Sequence, residues 1–240
     1  MDYAVNTGLA HSNPLSGIRK AFNAPSSTKQ PTLKPEELPE LMDKLNKASI
    51  KPVTRYLIEW QLLTLVRPVE ASSAKWDEID MAKRLWIIPP ERMKGRKNLR
   101  LSEDKRQPHF VPLSDRAIEI LETLKPISGH REYVFPSDIK PRSPANSQTA
   151  NMALKRAGFK GRLTSHGLRS LGSTILNEQQ FPHDVIEAAL AHTDPSIRGT
   201  YNRAQYLEQR RVMLQWWGDH ITAAQTGEVQ TGKKTLSIVN

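Results

Sequence analysis

Apolar residues recur along this chain with two different periods. From Pro35 to about Leu65 the spacing is helical: Leu38, Leu41, Met42 and Leu45 share one face, and Leu57, Trp60, Leu63 and Thr64 share another. Pro35 suits a first helical position, and Glu36 and Glu37 suit the first turn, where unpaired N–H groups favour negative charge. From Ala74 to about Pro136 the pattern changes to short runs: Leu85–Ile88, 110–113 and 133–135. Their length and their β-branched and aromatic content predict strands. Between the second and third, SDRAIEILETL predicts a helix capped by Ser114, with Ile118, Leu121 and Leu124 on one face. Helical spacing returns from about Pro144 to Ile221, around 145–157, 165–178, 182–191 and 203–219. The pattern predicts an α+β fold, mostly α-helical, with a small antiparallel three-stranded sheet.

The two ends differ from this body. Residues 1–30 carry Asn13-Pro14 and Pro25 with little periodicity, and DYAVNTGLAHSNP reads as the last helical turn of a preceding domain followed by a linker. Past Ile221 the composition turns to Thr, Gln, Gly and Lys, so 221–240 is expected to be a flexible tail around the strand-like Leu236-Ser237-Ile238-Val239. The opening residues lack a basic start followed by an apolar stretch, so no secretory signal is expected. No apolar run approaches the roughly 20 residues of a membrane-spanning helix. There is no cysteine, which excludes disulfides and thiolate metal sites. A cytoplasmic setting without a membrane follows as the expectation.

Charge narrows the choice of partner. Lys plus Arg is 35 against 25 for Asp plus Glu, a net +10, and an excess of that size favours a polyanion. The excess concentrates between two of the predicted strands. The stretch 92–106 holds Arg92, Lys94, Arg96, Lys97, Arg100, Lys105 and Arg106 against Glu103 and Asp104. A hairpin loop of that charge is a natural phosphate-backbone contact, because each neutralised phosphate releases counterions. A merely solvated loop is the simpler alternative.

Three further groups carry candidate chemistry. In Thr164-Ser165-His166-Gly167-Leu168-Arg169, His166 and Arg169 are three apart and share a helix face, with Thr164 or Ser165 as cap. His192 lies nine residues before Tyr201, across a turn at Asp194-Pro195. A tyrosine can be a packing residue or a covalent nucleophile. Arg67, in Leu65-Val66-Arg67-Pro68-Val69-Glu70, stands where a long apolar helix ends.

Singly these signals are weak, but their order along the chain is distinctive. Arg, then Lys on a hairpin, then His-x-x-Arg, then His, then Tyr resembles the tyrosine recombinases of the phage integrase family. The resemblance covers about residues 31–220 and is similar in particular to prophage and genomic-island integrases. It runs through LLTLVRPVEASSAKWDEID, LWIIPPERMK, HFVPLS, EYVFPS, LTSHGLRSLGSTILNE, DVIEAALAHTD and YNRAQYLEQRRVMLQWWGDHI. It implies a catalytic domain at 31–220, preceded at 1–30 by the end of a truncated core-binding domain. It assigns Arg67 and Arg169 as the two arginines of the set, His166 and His192 as its histidines and Tyr201 as nucleophile. Lys94 falls on the hairpin lysine, with Lys97 and Lys105 as rivals further into the loop. Glu70 falls on an acid that buttresses the first arginine.

The implied activity is site-specific DNA recombination. Two arginines grip a phosphodiester and stabilise the charge that grows in the transition state. Tyr201 attacks phosphorus to leave a 3′-phosphotyrosine, and Lys94 protonates the leaving oxygen. His166 acts as base or orienting group, and His192 bonds a phosphate oxygen. Neither metal nor cofactor is required. The implied partners are double-stranded attachment sites, on which a chain monomeric in solution assembles as a tetramer, with accessory DNA-bending proteins. The outcome is insertion or excision of a mobile element in a bacterial cytoplasm, at the nucleoid. Two alternatives stay open: a type IB topoisomerase-like strand transferase, and a non-catalytic DNA-binding fragment. An RNA-binding helical protein is less favoured, because the aromatics sit in apolar patterns rather than as stacking platforms.

Overall fold

The computed structural model of the chain describes residues 2–17, 30–93, 108–192 and 206–227. A short helix α1 (Asp2–Asn6) lies near the N-terminus. The body begins with α2 (Leu38–Lys47), whose Leu38, Leu41, Met42 and Leu45 are all buried as their spacing predicts. Next is α3 (Pro52–Thr64), which is buried on every side from Leu57 to Thr64. A helix enclosed all round is the centre of a fold rather than an amphipathic surface element. Trp60 at its middle packs against Trp86 and Phe135, with ring centroids 5.2 and 6.1 Å away.

Burying α3 also buries polar groups; the carboxylate of Glu59 and the amide of Gln61 have partners, whereas the Trp60 indole N–H has none among the described residues. Glu59 accepts from Arg116 Nε at 2.7 Å and from Gln225 Nε2 at 2.7 Å. Gln61 and Ser165 exchange two bonds: Gln61 Nε2 donates to the Ser165 carbonyl at 2.9 Å, and Ser165 Oγ donates to Gln61 Oε1 at 2.7 Å. An unpartnered amide at that depth would cost about 1–3 kcal/mol. The reciprocal pair therefore fixes the turn before residue 167 against the central helix.

After a five-residue helix α4 (Pro68–Ser72), the chain forms the sheet: β1 (Ile79–Asp80), β2 (Leu85–Ile88) and β3 (His109–Pro112). Both pairings are antiparallel, in the order β1-β2-β3, with Trp86 opposite Ile79 on one side and Val111 on the other. The sheet has the predicted size and sense, but one strand is different. Residues 133–135 form no strand. Tyr133 makes a single bridge to Lys75, Val134 N donates to the Ala74 carbonyl at 2.9 Å, and Val134 and Phe135 are fully buried. That run is apolar because it plugs the core, and Pro136 cuts it off. The third strand is the two-residue β1, too short and too exposed to leave an apolar signature.

The remaining described helices are α5 (Asp115–Ser128), α6 (Thr149–Leu154), α7 (Gly167–Glu178), α8 (His183–Ala189) and α9 (Leu207–Thr226). Ser114 caps α5, accepting from Ala117 N. The helix expected around 145–157 starts later, because Asn146 makes a turn by accepting from Gln148 N at 2.8 Å. It also runs on through a wider turn, Lys155–Phe159. The last helix extends past the expected 219. Ile221 and Ala224 are buried, Gln225 reaches Glu59, and the helix closes on Gly227 at φ +77. Residues 221–226, assigned to a tail by composition, are thus helical and packed.

Candidate active site

The strongest local constraint on the site is where α3 stops. Leu65 adopts φ +56, the left-handed region, although it is a leucine with a fully buried side chain. Such a conformation costs roughly 1–2 kcal/mol and persists only where surroundings impose it. It turns the Leu65 carbonyl toward α7 and sends the chain to Arg67. Pro68 then forces Arg67 to be extended, at φ −71 and ψ 152, and starts α4. Glu70, one turn on, accepts from Arg67 N at 2.9 Å and from Arg67 Nη1 at 3.3 Å. The Glu70 side chain is 1% exposed and that of Arg67 21%. Arg67 is therefore held at one edge, with its other donors toward the surface.

Arg169 enters from α7. Neither Thr164 nor Ser165 is the cap residue: His166 holds that position without a side-chain bond, while Thr164 Oγ1 accepts from Gly167 N, the first of the helix, at 3.0 Å. Ser165 is occupied with Gln61 and with Asn151 Oδ1, which accepts from Ser165 N at 2.6 Å. Gly167 packs so closely on Pro31 that a Cβ there would collide with the Pro31 carbonyl. Arg169 is 3% exposed. Its Nη1 donates to the Leu65 carbonyl at 2.5 Å, and its Nη2 donates to the Leu190 carbonyl at 2.8 Å and approaches His192 Nε2 at 3.3 Å. Burial, and then the like charge of Arg67, push the guanidinium down to about 10. It stays charged at neutral pH. Its Nε–H and one Nη1 proton have no protein acceptor among the described residues.

His192 follows α8 and a second left-handed residue, Ala191 at φ +51. That turn aims the Leu190 carbonyl at Arg169 and brings the imidazole beside it. On the far side of the ring, Nδ1 is 2.8 Å from Glu187 Oε2. The carboxylate holds a proton on Nδ1 and so leaves Nε2 facing the guanidinium. His166 is exposed and stands one residue before α7, at the end of the helix from which Arg169 projects.

The described structure thus brings together Arg67, Arg169 and His192, with His166 at the start of the same helix. Lys94 and Tyr201 lie outside the described residues, as do Arg96, Lys97, Arg100, Lys105 and Arg106. Arg92 corrects an expectation. It does not project with the loop but ion-pairs with Glu78, and its side chain is only 18% exposed. A buried carboxylate reached across the hairpin outcompetes solvent for it. Sequence reasoning missed Glu187 and the two carbonyls that hold Arg169. No group of three His, Cys, Asp or Glu side chains that could hold a metal ion occurs among the described residues. No described helix is long and apolar enough to cross a membrane.

Two guanidinium groups and an imidazole on pre-set backbone turns define a site for a phosphate-like anion. The phage integrase family matches residues 31–208, and the chain belongs to that family. Among its relatives, prophage integrase IntA of Escherichia coli (strain K12) is 54% identical over 230 residues, covering 95% of this chain and 53% of that protein. The integrase of Enterobacteria phage P4 is 34% identical over 228 residues, covering 92% of this chain and 52% of that protein. The chain spans about half the length of the curated relatives it matches. The fold is that of solved integrases. The integrase from mycobacterium phage Brujita superposes with a TM-score of 0.58 at 19% identity, over 89% of this chain and 66% of that one. A lambda integrase (75–356) dimer bound to a COC′ core site gives 0.57 at 20% identity, over 80% and 67%.

Proposed function

We propose that this chain is the catalytic part of a site-specific tyrosine recombinase that cuts and rejoins double-stranded DNA to insert or excise a mobile element. The observation that carries the reading is the pair Arg67 and Arg169. Each is fixed by groups other than a ligand, and among the described residues each keeps N–H donors unspent. Fixed donors that need not reorganise are what a developing phosphorane charge requires. His192 stands beside Arg169 and is read as bonding a phosphate oxygen.

In this reading Tyr201 attacks phosphorus, the 5′ oxygen leaves with a proton from Lys94, and the 3′-phosphotyrosine conserves the bond for rejoining. Lys97 and Lys105 are the alternative acids. His166 orients the phosphate or handles the tyrosine proton. Arg96, Lys97, Arg100, Lys105 and Arg106 contact the DNA backbone, and Arg92 does not. Four protomers act on two attachment sites in the bacterial cytoplasm, from a monomer in solution, with accessory DNA-bending proteins. The lambda integrase tetramer bound to a Holliday junction, a neighbour by fold, supports that assembly.

The test is covalent capture on nicked suicide duplexes carrying a randomised core. The chain should become joined to DNA 3′ ends, and peptide mapping should find the link at Tyr201. Tyr201→Phe removes one oxygen, so the adduct should vanish while binding persists. An adduct surviving in Tyr201→Phe would overturn the nucleophile. Binding without any adduct would leave a DNA-binding fragment. Plasmid relaxation without strand exchange would mark a topoisomerase-like enzyme.

A further inference from the structure

Arg92 belongs by sequence to the basic stretch and by structure to the far side of α4. It closes the turn Pro90–Arg92 after β2. Its Nη1 pairs with Glu78, and its Nη2 donates to Ser73 Oγ at 2.8 Å and to the Glu70 carbonyl at 3.2 Å. Glu78 is itself fixed, accepting from the Trp86 indole at 3.0 Å and from Lys75 N at 3.2 Å. Met93, the next residue, is buried.

The partners of Arg92 matter because α4 is five residues long. A helix so short has no stability of its own, so contacts at its ends set its position. At its start, the Glu70 carboxylate holds Arg67. At its end, Arg92 holds the carbonyl of that same Glu70 and the hydroxyl of Ser73. Glu70 is gripped through its backbone by one arginine and grips the other with its side chain.

We propose that Arg92 is a positioning residue for Arg67: by bonding the Glu70 carbonyl and Ser73 it fixes α4, and through the Glu70 carboxylate it sets the Arg67 guanidinium that receives the phosphate. This rests on the reading of Arg67 as a phosphate ligand. It also gives Arg92 a role opposite to that of its neighbours in the basic stretch, since it works without touching DNA.

Single-turnover cleavage of the nicked duplexes tests this, with DNA affinity followed across salt. Arg92→Gln should slow cleavage by about 100-fold, the scale of a roughly 1 Å misplacement of a reacting group. Affinity and its salt slope should stay as in the wild type. Arg92→Lys should recover part of the rate, because an ammonium can meet Glu78 but cannot present a fork to Ser73 and the carbonyl together. In an Arg67→Lys background, Arg92→Gln should cost little more, since both changes act through one contact.

Wild-type cleavage by Arg92→Gln would overturn the inference and leave the recombinase reading standing. So would full additivity with Arg67→Lys, or a salt slope reduced by about 1, the mark of a lost phosphate contact. If Arg92→Gln proves unstable on melting, Ser73→Ala carries the test. It removes the bond from Arg92 together with the bond that Ser73 Oγ donates to the Val69 carbonyl, keeps the Glu78 pair, and should slow cleavage non-additively with Arg67→Lys; a normal rate there counts against the proposal. A wild-type chain that forms no adduct sinks the function, and this inference with it.

Discussion

Arg162 and Arg169 sit seven residues apart and serve opposite ends. Arg162 is exposed and spends its guanidinium on carboxylates: Nη2 donates to Glu37 at 2.6 Å and to Glu40 at 2.8 Å, and Nη1 to Glu40 at 2.9 Å. Glu40 and then Glu37 hold its proton more firmly than usual. Arg169 is buried, touches carbonyls and an imidazole, and bonds to no carboxylate among the described residues. Its charge is solvated by dipoles but not neutralised, and burial makes that charge harder to hold. A neutralised arginine is a structural tie. One held in a dry site by dipoles keeps its charge available to an anion. Within the site the contrast holds at Arg169 alone, since Arg67 is tethered by the Glu70 carboxylate.

The sharpest way to break that contrast is to change both arginines alike. Arg169→Lys keeps a charge but loses the planar fork that bonds two carbonyls and still offers donors. It should slow adduct formation by on the order of 10²- to 10³-fold, as for loss of one preorganised donor, with DNA affinity little changed. Arg162→Lys should leave the adduct rate at the wild-type value. Equal effects, measured in single-turnover assays side by side, would mean that carboxylate pairing does not separate function from structure here.

A smaller effect is expected one shell out, at Glu187. Its carboxylate is 2.8 Å from His192 Nδ1 and sets which face of the ring meets Arg169. Glu187→Gln keeps the shape and can still bond the ring, but loses the charge that strengthens the bond to Nδ1. Losing about 1 kcal/mol of charge-assisted bonding would slow cleavage roughly fivefold. The loss should appear in the single-turnover cleavage rate with DNA affinity unchanged, and a wild-type rate would show that the carboxylate only packs against the ring.

The site was legible in sequence where its residues follow one another in a fixed order, and illegible where a backbone turn or a distant partner decides. Arg67, His166, Arg169 and His192 are candidates through an order that resembles a family, and the described structure brings Arg67, Arg169 and His192 together. Glu187 could not: five residues before His192 is no helical pairing, and the contact forms only because Ala191 turns left-handed. Nor could the Leu65 carbonyl, since no pattern announces a leucine at positive φ. Arg92 was read with its charged neighbours, because composition does not reveal that Glu78 lies across the turn. Helix faces such as that of α2 were plain from spacing, because burial on one side repeats every turn. The sheet was right in size yet wrong in one member, since an apolar run records burial and not pairing. Residues 133–135 are buried without a ladder, while the two residues of β1 pair without being apolar.

The gentlest test of the contrast uses acid. Arg162, and after it Lys44, hold the Glu40 carboxyl down to about 2. The Lys34 backbone N–H, and then Arg162, lower that of Glu37. A carboxylate whose folded pKa lies below its unfolded value stabilises the fold fully above the unfolded value of 4.5, and that contribution is lost as pH falls toward about 2. Both groups are exposed, so water and salt keep the contribution small. Arg169 has the reverse sign: a base with a lowered folded pKa burdens the fold wherever both states are charged, and relief comes only above about 10. Acid therefore acts on carboxylates bonded directly to Arg162, while Arg169 bonds none among the described residues. Denaturant unfolding at stepped pH should show a shallower loss of stability below 4.5 in Arg162→Gln than in the wild type. High salt should flatten the wild type toward the variant. Arg169→Lys should keep the wild-type acid slope, and a flattened slope in that variant instead would mean that the two arginines share one electrostatic neighbourhood.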